Sequence, residues 1–178
     1  MQAEALTWQQ RLVHAAQLHG GKVPADEWTV WQEFQQVQLR ALERLLDEGL
    51  GECLLRQPAH QGPIIEALHH FEGVRCEMQA YTIMPNHAHV LCRPIHGHAV
   101  ENLTRAWKRH SADHVHRLLG RAGSLWQDES FDRVIRDEDH YRQAVRYIAK
   151  NPLKAGLQSS DAVVWLHPRI IKANAAGT

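Results

Sequence analysis

Apolar and polar positions alternate from Val74 to Ile83, with Val74, Cys76, Met78 and Ala80 on one side and Arg75, Glu77, Gln79 and Tyr81 on the other. A period of two predicts a half-buried strand. After a Pro85-Asn86 turn the alternation resumes through 87–94: Ala88, Val90 and Cys92 face one way, His87, His89 and Arg93 the other. Two such runs joined by a tight turn predict an antiparallel hairpin.

Elsewhere the period is helical. Leu6, Leu12, Val13 and Leu18 form a loose apolar set over residues 1–19, broken by Gly20-Gly21 and Pro24. Behind a candidate N-cap at Asp26, the residues Trp28, Trp31, Phe34, Leu42, Leu45 and Leu46 predict a helix over 27–48, stopped by Gly49 and Gly51. Cys53–Arg56 reads as a short extended piece, and Pro63 as the first turn of a short helix carrying Ile64, Ile65, Leu68 and Phe71. Residues 99–119 predict a helix with Leu103, Ala106, Trp107, His110, Val115 and Leu118 near one stripe, ended by Gly120 and Gly123. Trp126-Gln127 and Phe131–Ile135 predict a short strand region. Asp137 caps the last major helix, with Glu138 and Asp139 where they suit the helix dipole. Its buried stripe is Tyr141, Ala144, Val145 and Ile148, and Pro152 and Gly156 bound its end. Val163, Val164, Trp165, Leu166 and Ile170 are expected to pack back on the body, and the last six residues to fray.

With 178 residues and 44% hydrophobic side chains, the chain suits one globular domain. Its three cysteines, Cys53, Cys76 and Cys92, are far apart, which argues against a disulfide framework or a structural zinc site and fits a reducing compartment. There is no basic, apolar leader and no run long enough to span a bilayer, so a soluble cytoplasmic protein with no membrane partner is expected. The net charge of zero argues against a bulk polyanion binder. The halves differ, however: residues 1–73 hold 5 Lys/Arg against 10 Asp/Glu, and residues 74–178 hold 15 against 10. The positive excess lies with the histidine pair and points to a polyanionic partner there.

Two imidazoles at i and i+2 on one strand stand side by side and can share a metal ion. Fourteen histidines make chance pairs common, and His69-His70, His96 with His98, and His114 with His116 are rivals. His87 and His89 differ in following a tight turn inside an apolar hairpin. Downstream, Tyr147 and Asn151 lie four apart on a helix face beside the buried stripe, stacked about 6 Å along the axis. Arg142, Arg146 and Lys150 form a second row next to them, and Arg105, Lys108 and Arg109 are exposed candidates on the preceding helix. Each basic set reads equally as a solvated face.

Two blocks in order carry a resemblance. One is Met84-Pro85-Asn86-His87-Ala88-His89-Val90-Leu91. The other runs from Trp126-Gln127 through Ser130-Phe131-Asp132-Arg133-Val134-Ile135-Arg136 to Tyr147-Ile148-Ala149-Lys150-Asn151-Pro152-Leu153-Lys154-Ala155-Gly156-Leu157. The chain resembles, over 68–157, the REP-associated tyrosine transposases, single-strand transposases with a His-hydrophobic-His motif and one tyrosine nucleophile. The resemblance implies an α+β fold, a ferredoxin-like or RRM-like antiparallel sheet with helices on one face. It implies a division of one domain into a mainly helical section (1–72), a catalytic core (73–157) and a tail (158–178). It implies that His87, His89 and Asn151 hold a divalent metal, Mg²⁺ or Mn²⁺, and that Tyr147 is the nucleophile forming a 5′-phosphotyrosine link. Arg105, Lys108, Arg109, Arg142, Arg146 and Lys150 then become candidates to guide the DNA. The implied partners are single-stranded DNA and DNA hairpins of REP-like repeats, met in a bacterial, nucleoid-associated setting by a monomer or homodimer.

Family members begin with a strand before the first long helix, whereas Met1 here leads into helix-compatible sequence, so either the start has been lost or the sheet is short of its first strand. That departure motivates an alternative, a catalytically impaired hairpin-binding protein. A zinc-dependent hydrolase is a third possibility, disfavoured because no third His or carboxylate stands at a motif-like spacing.

Overall fold

The hairpin expected from the alternating pattern is the centre of the fold. The computed structural model describes Leu46 and residues 51–176, and the helices expected over 1–19 and 27–48 lie outside that range apart from Leu46. Residues 49–178 form a compact unit. Within it, strands β1 (Cys76–Ile83) and β2 (Ala88–Pro94) pair antiparallel, and β3 (Val163–Leu166) adds to the other side of β1. The sheet order is β2-β1-β3, so β1 is central. The helices described are α1 (Pro58–His69), α2 (Val100–Leu119), α3 (Glu138–Lys154) and α4 (Pro168–Ala176). The α+β class and the antiparallel sheet are as expected, and the sheet has three strands among the described residues.

The helices lie on both faces of the sheet, not on one. β1 carries a bulge at Gln79, where the β1–β2 register shifts between Met78 and Ala80. An extra residue in one strand inverts the inside–outside parity beyond it. Cys76 and Met78 therefore share a face with Tyr81 and Ile83, not with Ala80 as simple alternation predicts. That face, with Val90, Cys92, Val163 and Trp165, packs on Leu55, Ile64, Ala67 and Leu68 and on Leu103 and Trp107 of α2. Ala80, Leu91 and Leu166 face the other way, onto Val145 and Ile148 of α3. The bulge is tied on both sides: Gln79 O accepts from His167 N–H at 2.8 Å, and Gln79 Oε1 accepts from Tyr141 Oη at 3.1 Å.

Several local expectations are corrected. Leu54–Arg56 is a 3-10 turn, not an extended piece. Pro58 opens α1, where the missing N–H of proline is harmless, and Pro63 lies inside the helix and not at its start. Val163–Leu166, read only as packing residues, is a strand. His110 and Leu118 of α2 are exposed. Asp137 does cap α3, its Oδ1 accepting from His140 N–H at 2.7 Å, and Gly120 ends α2 in the left-handed region (φ 60°). Pro152 lies within α3, which runs on to Lys154.

The strand expected around 126–135 does not form. Lys108 Nζ donates to the carbonyls of Gln127, Asp128 and Glu129 at 2.7, 3.2 and 2.8 Å. In a strand successive carbonyls point to alternate sides, so three on one ammonium exclude extended pairing. Phe131 and Val134 are exposed as a result (62% and 76%). Among the described residues no helix is long and apolar enough to cross a membrane.

Candidate metal and tyrosine site

The hairpin turn sets the first half of the site. Met84 N–H donates to His87 O at 2.8 Å, closing a four-residue turn around Pro85 and Asn86. Proline's fixed φ and asparagine's tolerance of turn geometry suit those positions. His87 ends the turn and His89 is the second residue of β2, so their rings project to the same side. Their Nε2 atoms are 3.1 Å apart, with the rings nearly perpendicular (85°). His87 is buried and His89 partly so. His87 Nδ1 lies 2.8 Å from Asn86 Oδ1.

The other half comes from α3. Tyr147 Oη is 3.4 Å from His89 Nε2, and the two rings meet edge to face with centroids 5.1 Å apart. Tyr147 packs beside Val145 and Ile148 against Ala80 and Leu91, which anchors its ring at the sheet. One turn further on, Asn151 is 1% exposed, and neither its Nδ2 nor its Oδ1 has a hydrogen-bond partner. The face carrying Tyr147 and Asn151 is thus turned inward, not beside the buried stripe as the pattern predicts. A buried amide without partners costs about 1–3 kcal/mol per group, so its two polar atoms suit a group from outside the chain, a water or an ion.

The electrostatics favour neutral imidazole. Burial, followed by the neighbouring His87 and Lys154, drives the His89 pKa down to about 3. A neutral ring keeps a lone pair for a cation. The Nε2–Nε2 separation also fits one. Two adjacent ligands of an octahedral ion with bonds of about 2.1 Å lie ~3.0 Å apart. Among the described residues no group of three His, Cys, Asp or Glu could hold a metal; a cation on the two imidazoles would need another kind of third donor, and the buried Asn151 amide is a candidate. Two imidazoles with one carbonyl oxygen suit Mn²⁺ better than Mg²⁺, which prefers oxygen throughout.

The basic residues divide. Arg142 Nε pairs with Glu138 at 3.2 Å, and Lys108 is committed to the loop carbonyls. Arg105 and Arg109 are exposed but sit on α2, which packs on the sheet face opposite Tyr147. Arg146 and Lys150 are exposed on α3 itself. Lys154, to which the sequence spacing assigned no role, places Nζ 5.7 Å from the centroid of the Tyr147 ring. The signal that finds it is the interval of seven, two helical turns on the same face. Asn86, which the sequence pattern marks only as a turn residue, stands at His87 Nδ1, where a metal-bound histidine would need a partner for its second ring nitrogen. No protein-family model, no curated protein and no solved structure matches the chain.

Proposed function

We propose that the protein is a metal-dependent enzyme that nicks and rejoins single-stranded DNA beside hairpin repeats, with Tyr147 as the nucleophile. One observation carries the reading: a helix-borne phenol stands 3.4 Å from an imidazole nitrogen that is itself 3.1 Å from a second. The order of the two motif blocks in the sequence supports it. His87, His89 and Asn151 would hold the divalent cation, Mn²⁺ or Mg²⁺. When bound, it would polarise the scissile phosphate and offset charge developing on the leaving 3′-oxygen.

The chain's own residues supply the rest. The Tyr147 phenolic oxygen attacks phosphorus, the P–O3′ bond breaks, and the departing 3′-oxygen takes up a proton. The phenolic proton leaves for water, since His89 Nε2, its near neighbour, would hold the cation when one is bound. The products are a phosphotyrosine ester at the 5′ end and a free 3′-hydroxyl. Because one phosphodiester replaces another, a 3′-hydroxyl can reverse the step and join strands. Packing against Ala80 and Leu91 restricts where the phenol can go, which favours attack from one direction. Arg146, Lys150 and Lys154 bring positive charge to the same helix, where a phosphate backbone would run.

The test is incubation with end-labelled single strands that carry a hairpin, in Mn²⁺. The wild type should form a covalent protein–DNA adduct and Tyr147→Phe none. An adduct that survives Tyr147→Phe removes the nucleophile assignment. Hairpin binding of equal strength in wild type and His87→Ala, without cleavage by either, would leave a binding protein.

A further inference from the structure

We infer that Asn86 is the positioning residue of the candidate metal centre: it holds His87 in the tautomer whose Nε2 is bare. The inference rests on the metal reading above. A neutral imidazole carries one proton, and the partner of one nitrogen decides the state of the other. Asn86 Oδ1, 2.8 Å from His87 Nδ1, can only accept, so Nδ1 must carry the hydrogen. His87 Nε2 then presents a lone pair at the point shared with His89 Nε2, 3.1 Å away. The opposite tautomer would aim an N–H into that space and exclude a cation.

Asn86 is itself held from behind. Leu55 N–H donates to Pro85 O at 2.9 Å, fixing the turn to the 3-10 segment. Gln61 Nε2 donates to Leu55 O at 2.8 Å, and His60 Nδ1 is 2.6 Å from Leu54 O. Gln61 and His60 are only 6% and 8% exposed. Neither takes part in the chemistry proposed for Tyr147, and burying them without a purpose would cost stability. They form a strut: α1 braces the 3-10 segment, the segment braces the turn, and the turn aims Asn86 at His87. Residues 53–61 lie outside the stretch carrying the motif resemblance, so the support comes from a region with no assigned role.

The experiment uses full-length protein labelled with ¹⁵N at histidine. The ring-nitrogen shifts of metal-free wild type should show His87 protonated at Nδ1 and bare at Nε2. Asn86→Ala should lose the single tautomer, and its Mn²⁺ affinity should fall about 10–100-fold in calorimetric titration. Asn86→Asp, which keeps an acceptor at the same place, should restore both. The inference is overturned if His87 in wild type carries its proton on Nε2, or if Asn86→Ala binds Mn²⁺ as tightly as wild type. Should Asn86→Ala fail to fold, the wild-type tautomer and Asn86→Asp still decide. A wild type with the expected tautomer that binds no Mn²⁺ overturns the metal centre itself, which separates that failure from this one.

Discussion

The two faces of the sheet are filled differently. The α1/α2 face is filled with large apolar side chains, among them Ile64, Leu68, Met78, Tyr81, Ile83, Leu103 and Trp107. Among the described residues the α3 face has Ala80, Leu91, Val145 and Ile148 as its buried apolar set, and beside them stand His89, Tyr147 and the unpartnered Asn151. A face that holds polar groups in fixed positions gives up apolar burial to do so, at roughly 25 cal/mol per Å². The opposite face offsets that loss. The bulge at Gln79 sharpens the division, because it puts Cys76 and Met78 on the same face as Tyr81 and Ile83 and leaves Ala80 on the other.

The sharpest way to break this division is a pair of substitutions, one per face. Tyr147→Phe should remove the DNA adduct altogether and change unfolding free energy by less than about 0.5 kcal/mol. Leu103→Ala should destabilise by about 2–5 kcal/mol in urea unfolding and leave adduct formation per folded molecule intact. If Leu103→Ala cut activity beyond its loss of folded protein, the faces would not be separate.

Acid should attack the α3 face first. An unfolded imidazole takes up a proton near pH 6.5, whereas folded His89 does so only at about 3. Between those values the unfolded chain holds more protons. Stability of the metal-free protein therefore falls as pH falls, by about 1.4 kcal/mol per unit from this group. Above pH 6.5 the contribution is complete, and below 3 it is gone. Chemical unfolding at stepped pH should show this slope, and His89→Gln should flatten it. An unchanged slope in the variant would mean the ring is not held neutral.

How much of this could be seen in advance depended on how local each cause is. The hairpin was legible because alternation and the Pro85-Asn86 turn are neighbours in sequence. Tyr147 and Asn151 were legible because helical spacing places i and i+4 together. The Gln79 bulge was not, since its partners Tyr141 and His167 are 62 and 88 positions away. Nor was β3: its four residues are all apolar even though Val164 is exposed, so no alternation separates them from an apolar tail. The false strand at 126–135 had a suitable pattern, but Lys108 on a distant helix claimed the carbonyls of its first residues.

A smaller effect is expected at Asn151. Asn151→Leu replaces two unpartnered polar atoms with apolar ones of similar volume. The metal-free protein should be stabilised by about 1 kcal/mol, while Mn²⁺ affinity falls. Thermal unfolding with chelator and then with Mn²⁺ would separate the two. If the variant is less stable without metal, Asn151 serves the fold and the site has lost its third donor.

The least expected change concerns the basic residues, and it asks which face meets DNA. Arg146 and Lys150 share a helix with Tyr147, whereas Arg105 and Arg109 sit across the sheet. Neutralising a phosphate contact releases fewer counterions, and on a single strand each contact contributes ~0.7 to the slope of log affinity against log salt. Arg146→Gln with Lys150→Gln should thus lower the slope by ~1.4 and weaken binding roughly tenfold at moderate salt. Arg105→Gln with Arg109→Gln should change neither. Fluorescence anisotropy of a labelled hairpin-tailed strand from low to high salt would measure both pairs. A larger loss from the α2 pair would put the strand on the α1/α2 face, out of reach of Tyr147, and a reaction at that tyrosine would need a different path for its substrate.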